Sequence, residues 1–282
     1  MTVPLVRLMT DDDVPAAAEV SAAAFEFGLE DPVARERWYV RMRHSLAVDP
    51  EGAFVAEVNG RVAGVAHAIV RDHVWILSLL AVDPKIHSLG TGRALMDAAL
   101  SYGPPTDDGL IVASSDPRAL RLYASAGFQL HPTFQASGQI NRAAIPVAHP
   151  GIKAVPAAEL DSLAPISRAV RGATHDGDLR LEFDRGVAIF RLEDRGFVLV
   201  DRHRGVRGLA ALDEESAKAL LYFALSEAQD AEELVVGWIT GRQQWAVEVL
   251  VATRLPFKAY GAVCVRGNPG PLHPYIPSPP FA

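Results

Sequence analysis

The sequence predicts an α/β (α+β) protein made of two tandem copies of one domain, each a mixed, mostly antiparallel sheet with helices on both faces. Three observations lead to this prediction. Strand-like apolar runs alternate with helix-like runs, and Asn59-Gly60 between two apolar runs is a strong hairpin signal. A strand–helix–strand pattern follows, which adds a crossover to the antiparallel strands. Finally, short sequences of the first half recur in the same order later in the 282 residues.

The elements of the first half follow in order. A strand is predicted over Val3–Leu8, and a helix over Asp11–Phe25, whose acidic start suits the positive end of a helix dipole. The apolar runs Ala53–Val58, Arg61–Val70 and Val74–Val82 predict a three-stranded meander. The remaining predicted elements are a helix at Trp38–Ala47, a helix at Arg93–Ser101, a strand at Gly109–Ser114, a helix at Pro117–Ala126 and a strand near Gln129–Ile140.

The second copy is indicated by three recurring sequences at nearly constant offsets. Leu80–Asp83 recurs as Ala210–Asp213 at an offset of 130, Arg93–Ser101 as Lys218–Ser226 at an offset of 125, and Ala126–Phe128 as Leu255–Phe257 at an offset of 129. The turn-rich stretch 141–156 separates the copies. We therefore expect domains over residues 1–142 and 150–282. The stretch Pro271–Pro280 has five prolines in ten residues, and we expect it to run extended over a surface.

Composition restricts the class of protein. The formal charge is 27 − 34 = −7, which argues against a nucleic-acid partner, because such binding needs a basic face. The single cysteine, Cys264, excludes an internal disulfide and a thiolate cage, and the scattered histidines give no reason to expect a metal site. No apolar run is long enough to span a membrane, and the first residues lack the pattern of a signal peptide. A cytoplasmic protein without a membrane partner is expected.

The stretch from Leu79 to Leu95 is the most informative part of the sequence for function. An apolar strand ends at Asp83-Pro84, a short loop carries Gly90 and Gly92, and a helix follows at once. Glycines let backbone N–H groups approach a ligand closely, and the start of a helix adds partial positive charge. This arrangement predicts a site for a diphosphate.

Two motifs here resemble those of one family. His87-Ser-Leu-Gly-Thr-Gly92 resembles the acyl-CoA-binding motif Gln/Arg-x-x-Gly-x-Gly/Ala of the GNAT superfamily of N-acetyltransferases, with His87 in place of Gln or Arg. Residues 116–128 resemble the family's second motif, Asn-x-x-Ala-x-x-Leu-Tyr-x-x-x-Gly-Phe, with Asp116 in place of Asn. The resemblance covers residues 3 to about 140 well and the second half as a faded copy, which implies two tandem GNAT-like domains.

The resemblance implies roles for particular residues. The backbone N–H groups of Leu80 to Val82 would hold the pantetheine of acetyl-CoA, and those of Leu80 and Val82 would polarise the thioester carbonyl. The phenol of Tyr123 would protonate the departing thiolate as general acid. The full set implied to bind acetyl-CoA is Leu80, Ala81, Val82, His87, Ser88, Leu89, Gly90, Thr91, Gly92, Arg93, Asp116 and Tyr123.

The general base stays open, because the strand Val74–Val82 carries no carboxylate. The candidates are a histidine at the start of that strand, a histidine on the hairpin, and acidic residues after the first helix, where the family usually forms the wall of the acceptor site. They are His73, His67, Glu26, Glu30 and Asp31.

The second copy is expected to bind no acyl-CoA. Ten positions separate Asp83 from Arg93, but only five separate Asp213 from Lys218, so the phosphate loop is missing. The residues that remain there, Asp213-Glu-Glu215, are acidic and would repel a diphosphate. The position matching Tyr123 is Ala252, or Val251 if the alignment is off by one residue.

The resemblance thus implies an N-acetyltransferase that transfers an acetyl group from acetyl-CoA to a primary amine of a small molecule by direct attack in a ternary complex. Two alternatives remain open. One is a CoA-responsive binding module without turnover, which the missing carboxylate and His87 would favour. The other is an acetyltransferase for a protein or peptide amine. No metal is expected, and the protein is expected to be a monomer or a homodimer.

Overall fold

The computed structural model describes residues 4–86, 90–103, 107–229 and 231–282. Its contacts divide the chain into two compact units. Unit 1 comprises Met1–Val70 and Trp75–Thr106, and unit 2 comprises Arg71–Val74 and Asp107–Ala282. The turn between the third and fourth strands is therefore part of unit 2 by its contacts. In the described part of the chain, every helix is too short or too polar to cross a lipid bilayer.

Unit 1 is a four-stranded sheet with helices. Its strands lie in chain order and are β1 (Leu5–Leu8), β2 (Ala53–Val58), β3 (Arg61–Arg71) and β4 (Val74–Val82). Its helices are α1 (Val14–Phe25), α2 (Pro32–Val48) and α3 (Thr91–Ser101). Alternate residues of β4, Leu79 and Ala81, belong to a buried cluster with α1 and α2. The predicted meander is confirmed, because β2 and β3 pair antiparallel around Asn59-Gly60 and β4 follows β3 in the sheet.

Helix α2 begins six residues before the predicted start at Trp38. Asp31 caps it, since its carboxylate accepts hydrogen bonds from the backbone N–H groups of Val33 and Ala34, both at 3.1 Å. Pro32 then occupies the first helical position, where its missing N–H costs nothing. The predicted helix was too short because the first turns are polar and exposed, and therefore lack the apolar periodicity that marks a helix in sequence.

The described residues of unit 2 form eight strands in one order and a short ninth strand. The order is β5 (Gly109–Ala113), β12 (Phe257–Arg266), β6 (Gln129–Gly138), β11 (Leu234–Thr240), β10 (Gly205–Ala211), β9 (Gly196–Asp201), β8 (Ala188–Leu192) and β7 (Ile152–Ala154), and β13 (Tyr275–Ile276) pairs with β10. The helices are α4 (Pro117–Ser125), α5 (Ala164–Arg171), α6 (Asp178–Asp184), α7 (Glu214–Glu227) and α8 (Gln244–Ala252). These strands pair antiparallel in the described residues, except β10 with β11, which are parallel.

Strand β9 shows that unit 2 has a core on each face of its sheet. Val198 and Val200 belong to the cluster that contains α7 and α8. Phe197 and Leu199, which alternate with them, belong to the cluster that contains α5. Because successive side chains of a strand point to opposite faces, helices cover both faces. This part of the predicted fold class is confirmed.

The last strands of the two sequence copies are exchanged within unit 2. β6, which ends the first copy, pairs with β11 of the second copy, and β12, which ends the second copy, pairs with β5 of the first. The two exchanged strands also pair with each other antiparallel. The compact units consequently do not follow the two halves of the repeat, and the boundaries 1–142 and 150–282 stay a prediction about the repeat itself.

Candidate active site

The end of β4 presents two backbone N–H groups away from β3. Asp83 donates its N–H to the carbonyl of Ala63 on β3 at 2.9 Å. Because the backbone direction alternates along a strand, the N–H groups of Leu80 and Val82 point to the opposite edge of β4, whereas that of Ala81 points toward β3. Leu80 and Val82 are therefore oriented to donate to a ligand at that edge, and Ala81 is not.

The loop after β4 turns sharply at Asp83. The Asp83 carboxylate accepts the N–H of Lys85 at 2.9 Å, and its carbonyl accepts the N–H of Ile86 at 2.9 Å. This side-chain-closed turn ends the strand where the Asp-Pro pair predicts it. His87, Ser88 and Leu89, which the sequence implicates in acetyl-CoA binding, lie outside the described residues.

The start of α3 has the properties of an anion site. Gly90 precedes the helix in the left-handed conformation (φ 77°), and the helix has no side-chain cap. Ala94 donates its N–H to the Gly90 carbonyl at 2.9 Å, so the N–H groups of Thr91, Gly92 and Arg93 are the ones without a helical acceptor. The space beside Gly90 is open, since no described atom lies within 4 Å of the point where a Cβ would stand. These amides fit the diphosphate of acetyl-CoA.

Gly64 on β3 lets the start of α3 approach the sheet. A Cβ at this position would lie 2.7 Å from Leu95 Cδ1, and 3.2 Å from both Thr91 Cγ2 and the Ala81 carbonyl oxygen. Two hydroxyls on this part of unit 1, those of Thr91 and Ser78, are buried without a hydrogen-bond partner among the described residues. The sequence analysis missed Gly64, although a glycine inside a strand often marks such a close approach.

The corresponding helix of the second copy, α7, is closed to an anion. The Asp213 carboxylate caps it by accepting the N–H of Ser216 at 2.7 Å, and it also pairs with Arg195. Although burial acts in the opposite direction, these hydrogen bonds lower the pKa of Asp213. Glu214 and Glu215 add negative charge in the first turn. The start of α7 is therefore already filled by a carboxylate of the chain.

Tyr123 lies on α4 and is only 5% exposed. Burial raises the pKa of its phenol above the ordinary value, and the neighbouring Cys264 thiol and Asp116 carboxylate raise it further. Burial also raises the pKa of Cys264 to about 12. Because Cys264 comes from the exchanged strand β12, the second sequence copy contributes to the surroundings of Tyr123. No local sequence pattern predicts this neighbour, since it depends on the strand exchange.

Asp116 acts as the cap of α4. Its carboxylate accepts the backbone N–H of Arg118 at 2.8 Å and pairs with the guanidinium of the same residue at 2.7 Å. Arg118 lowers the pKa of Asp116 by these hydrogen bonds. A capping carboxylate at this position explains why Asp can stand in place of Asn. Its predicted contact with acetyl-CoA stays a prediction.

The candidate bases differ in their surroundings. Glu26 ends α1 in the left-handed conformation and is exposed, as is Glu30. His67 is buried with Nε2 3.2 Å from Met9 Sδ, and burial together with Arg41 lowers its pKa to about 3, which makes it a weak proton acceptor. His73 precedes β4 and lies 3.5 Å from the Asp108 carboxylate.

Two of the candidates, His73 and Asp31, are already placed by their positions in the fold. His73 is seven residues before Leu80, roughly 23 Å along an extended strand. Asp31 is occupied as the cap of α2. The identity of the base therefore stays a prediction.

Among the residues that the structure describes, no group of three His, Cys, Asp or Glu side chains could hold a metal ion.

The first copy is similar to a known family. The profile of the acetyltransferase (GNAT) family matches residues 16–128, which span α1 to the end of the second motif. This part of the chain is thus similar to the GNAT family. A search of curated proteins found no significant match.

Solved structures share the fold over nearly the whole chain. A Pyrococcus horikoshii protein described as an acetyltransferase matches with a TM-score of 0.77 at 18% identity, covering 98% of this chain and 94% of that one. A GCN5-related N-acetyltransferase from Kribbella flavida gives 0.61 at 17% identity, covering 93% and 71%. A tandem GNAT protein from the clavulanic acid biosynthesis pathway gives 0.55 at 16% identity, covering 96% and 99%. The likeness concerns the fold, and the prediction of two tandem GNAT-like domains is confirmed.

Proposed function

We propose that this GNAT protein is an N-acetyltransferase that moves an acetyl group from acetyl-CoA to a primary amine of a small molecule. The observation that carries the proposal is the contrast between two equivalent helix starts. That of α3 is open and without a side-chain cap, whereas that of α7 is filled by the Asp213 carboxylate. Only the first copy therefore offers N–H groups to a diphosphate, and we expect one acetyl-CoA site per chain.

Acetyl-CoA would supply the acetyl group as a thioester, whose C–S bond breaks as the acceptor nitrogen bonds to the carbonyl carbon. The N–H groups of Thr91, Gly92 and Arg93 would bind the diphosphate at the start of α3. Those of Leu80 and Val82, which point away from β3, would bind the pantetheine and stabilise negative charge on the carbonyl oxygen. The protein thus orients the reactants and provides hydrogen-bond donors, with no covalent step on an enzyme group.

Tyr123 would donate its phenolic proton to the thiolate that leaves. At first sight its raised pKa makes it a poor acid. The same buried surroundings raise the pKa of the neighbouring Cys264 thiol to about 12. Burial would also raise the pKa of a CoA thiol formed beside Tyr123, and a more basic thiolate accepts a proton from the phenol more readily.

Acceptor screening tests the proposal. Purified protein is incubated with acetyl-CoA and a panel of small primary amines and short peptides, and release of the CoA thiol is followed with a thiol reagent. We expect release above the hydrolysis background with at least one amine, and much less from a Tyr123→Phe control. Acetyl-CoA binding without release from any amine would favour the CoA-responsive module, and release with peptide amines alone would favour the peptide acetyltransferase.

Three other expectations accompany the proposal. A cytoplasmic location, a monomer or homodimer, and the lack of nucleic-acid and membrane partners stay predictions from the sequence. A longer acyl group would need more space at the acyl end of the site, and the screen therefore also includes a longer-chain acyl-CoA.

A further inference from the structure

The proline-rich segment, residues 271–282, is buried in unit 2. The sequence analysis predicted that this stretch runs over a surface, and the structure shows that this was wrong. Tyr275, Ile276, Phe281 and Ala282 are each 5% exposed or less. Prolines prevent the segment from forming a helix, but they do not prevent an extended chain from pairing over two residues and packing its apolar side chains.

The segment fills a gap in the sheet of unit 2. Among the described residues, β10 pairs with β11 at Gly205 and Val206 and then diverges from it. Beyond that point, Leu209 pairs with Ile276 and Ala210 with Tyr275. Backbone groups that the divergence would leave unpaired thus find partners in the segment, as buried backbone groups require.

The direction of the backbone shows which edge of β10 the segment occupies. Leu212 donates its N–H to the Arg195 carbonyl beside β9, just as Asp83 donates to Ala63 on β3. Leu212 therefore corresponds to Asp83, and Ala211 corresponds to Val82. This structural correspondence differs by one residue from the alignment based on the recurring sequences. Ala211 donates its N–H to the Pro274 carbonyl at 3.3 Å. The segment therefore accepts a hydrogen bond from the position that corresponds to Val82 in the first copy.

Gln243 holds the segment from the other side of the gap. This buried side chain accepts the Tyr275 N–H at 3.1 Å through Oε1 and donates to the Leu272 carbonyl at 2.8 Å through Nε2. Trp245 Nε1 also donates to Gln243 Oε1, at 2.7 Å, and fixes the orientation of the amide. Near the start of α7, His273 Nε2 lies 3.1 Å from the Glu214 carboxylate.

Helix α5 holds both ends of the segment. The fully buried Arg171 donates to the carbonyl oxygens of Phe281 and Ala282. The Leu272 N–H donates to the Val170 carbonyl at 2.8 Å. Immediately before the segment, the Pro269 carbonyl oxygen lies 1.3 Å from where a Cβ of Gly172 would stand, so only glycine allows this approach.

We propose that the second copy is a binding site for an extended, proline-rich peptide, and that its ligand is the chain's own segment 271–282. The segment occupies the edge of β10 that corresponds to the edge of β4 assigned to the pantetheine of acetyl-CoA, and this correspondence rests on the proposed function. The second copy would then be closed to acyl-CoA by a permanent peptide ligand as well as by its missing phosphate loop.

The first experiment uses two matched variants of the full chain. Gly172 and Gly186 both end helices with positive φ, of 82° and 89°, but a Cβ at Gly186 would meet no described atom within 4 Å. Gly172→Ala should displace the segment, and Gly186→Ala should impose only the backbone strain that both share. Hydrogen exchange followed by mass spectrometry should show peptides from 271–282 exchanging at least 100-fold faster in Gly172→Ala than in Gly186→Ala. Equal protection in the two variants would overturn the proposal.

The second experiment separates the ligand from its site. A chain that ends at Gly270 is mixed with a synthetic peptide of residues 271–282, and binding is followed by the rise in Tm. We expect saturable stabilisation by several degrees, and none by the same peptide with Tyr275→Asp and Ile276→Asp. If the shortened chain folds only with the native peptide, the proposal is supported. A shortened chain with the Tm of the full chain and no response to the peptide would overturn it.

Neither readout involves acetyl-CoA. A failure of the proposed function would therefore leave the exchange and peptide results unchanged. A failure of the peptide site would likewise leave acetyl-CoA turnover by the first copy unchanged. The two proposals can fail independently.

Discussion

Replacement of Gly64 by alanine tests whether the close packing of α3 on β3 positions the diphosphate site. The added Cβ would lie 2.7 Å from Leu95 Cδ1, and 3.2 Å from Thr91 Cγ2 and from the Ala81 carbonyl oxygen. Carbon atoms in contact normally stand about 3.5–4.0 Å apart. Leu95 can rotate, but Thr91 and the Ala81 backbone cannot move unless the start of α3 or the end of β4 moves with them.

The expected cost follows from these contacts. Overpacking of this kind destabilises by about 1–3 kcal/mol, of which a displaced Leu95 rotamer accounts for about 0.5–1.5 kcal/mol. The lower entropy of the unfolded alanine chain offsets about 0.4–1 kcal/mol. Because the amides of Thr91 and Gly92 would shift with the helix, we expect the Kd for acetyl-CoA to rise roughly tenfold, equivalent to about 1.4 kcal/mol.

Urea unfolding and calorimetric titration with acetyl-CoA measure the two effects on one preparation. Gly241→Ala is the matched control, because a Cβ there would meet no described atom within 4 Å and its backbone is not left-handed. The control should bind acetyl-CoA like the original protein. A Gly64→Ala variant with unchanged stability and unchanged Kd would show that the packing of α3 does not position the site.

Three further predictions concern buried groups. Tyr123→Phe should keep acetyl-CoA affinity but lower kcat and kcat/KM together by roughly 10²–10⁴-fold, and an unchanged single-turnover rate would remove the phenol from the mechanism. The pKa of His67 is lowered to about 3, so its stabilising contribution is present above pH 6.5 and is lost as the pH falls toward 3. Between pH 8 and 5, the free energy of unfolding in urea should fall by about 2 kcal/mol less for His67→Gln than for the original protein. Equal losses of unfolding free energy would contradict this. Arg71→Met removes the guanidinium that pairs with the buried Asp178 at 2.7 Å and should lower the free energy of unfolding by about 3–5 kcal/mol. Arg168→Met, in a half-exposed pair, should lower it by less than about 1 kcal/mol. Equal losses of Tm in the two variants would contradict this difference.

Local sequence signals predicted the elements of the first copy well. The Asn59-Gly60 turn, the Asp83-Pro84 strand end and the glycine before α3 each act within a few residues, so their effect can be read from sequence. β4 was predicted with the bounds it has, and β5 and α4 to within one residue. The same local signals predicted the elements that carry Leu80, Val82 and the glycines at the start of α3, whereas their role in binding stays a prediction.

Features that depend on distant partners could not be predicted. Nothing in Phe257–Arg266 or Gln129–Gly138 indicates that these strands exchange places, because both have the alternation of any strand and pair with residues about a hundred positions away or farther. The surroundings of Tyr123 therefore included an unexpected neighbour, Cys264. The burial of segment 271–282 was missed because its binding groups, Arg171 and Gln243, come from other elements.

We expect the open start of α3 to bind acetyl-CoA and the second copy not to bind it. Calorimetric titration of the full chain with acetyl-CoA, beside Gly90→Trp and Gly60→Trp, tests it most directly. Both glycines have positive φ, of 77° and 72°, with no described atom within 4 Å of a Cβ, so the two variants share the same strain and differ in place. We predict one site per chain in the original protein and in Gly60→Trp, and none in Gly90→Trp. Two sites per chain, or unchanged binding by Gly90→Trp, would contradict the account.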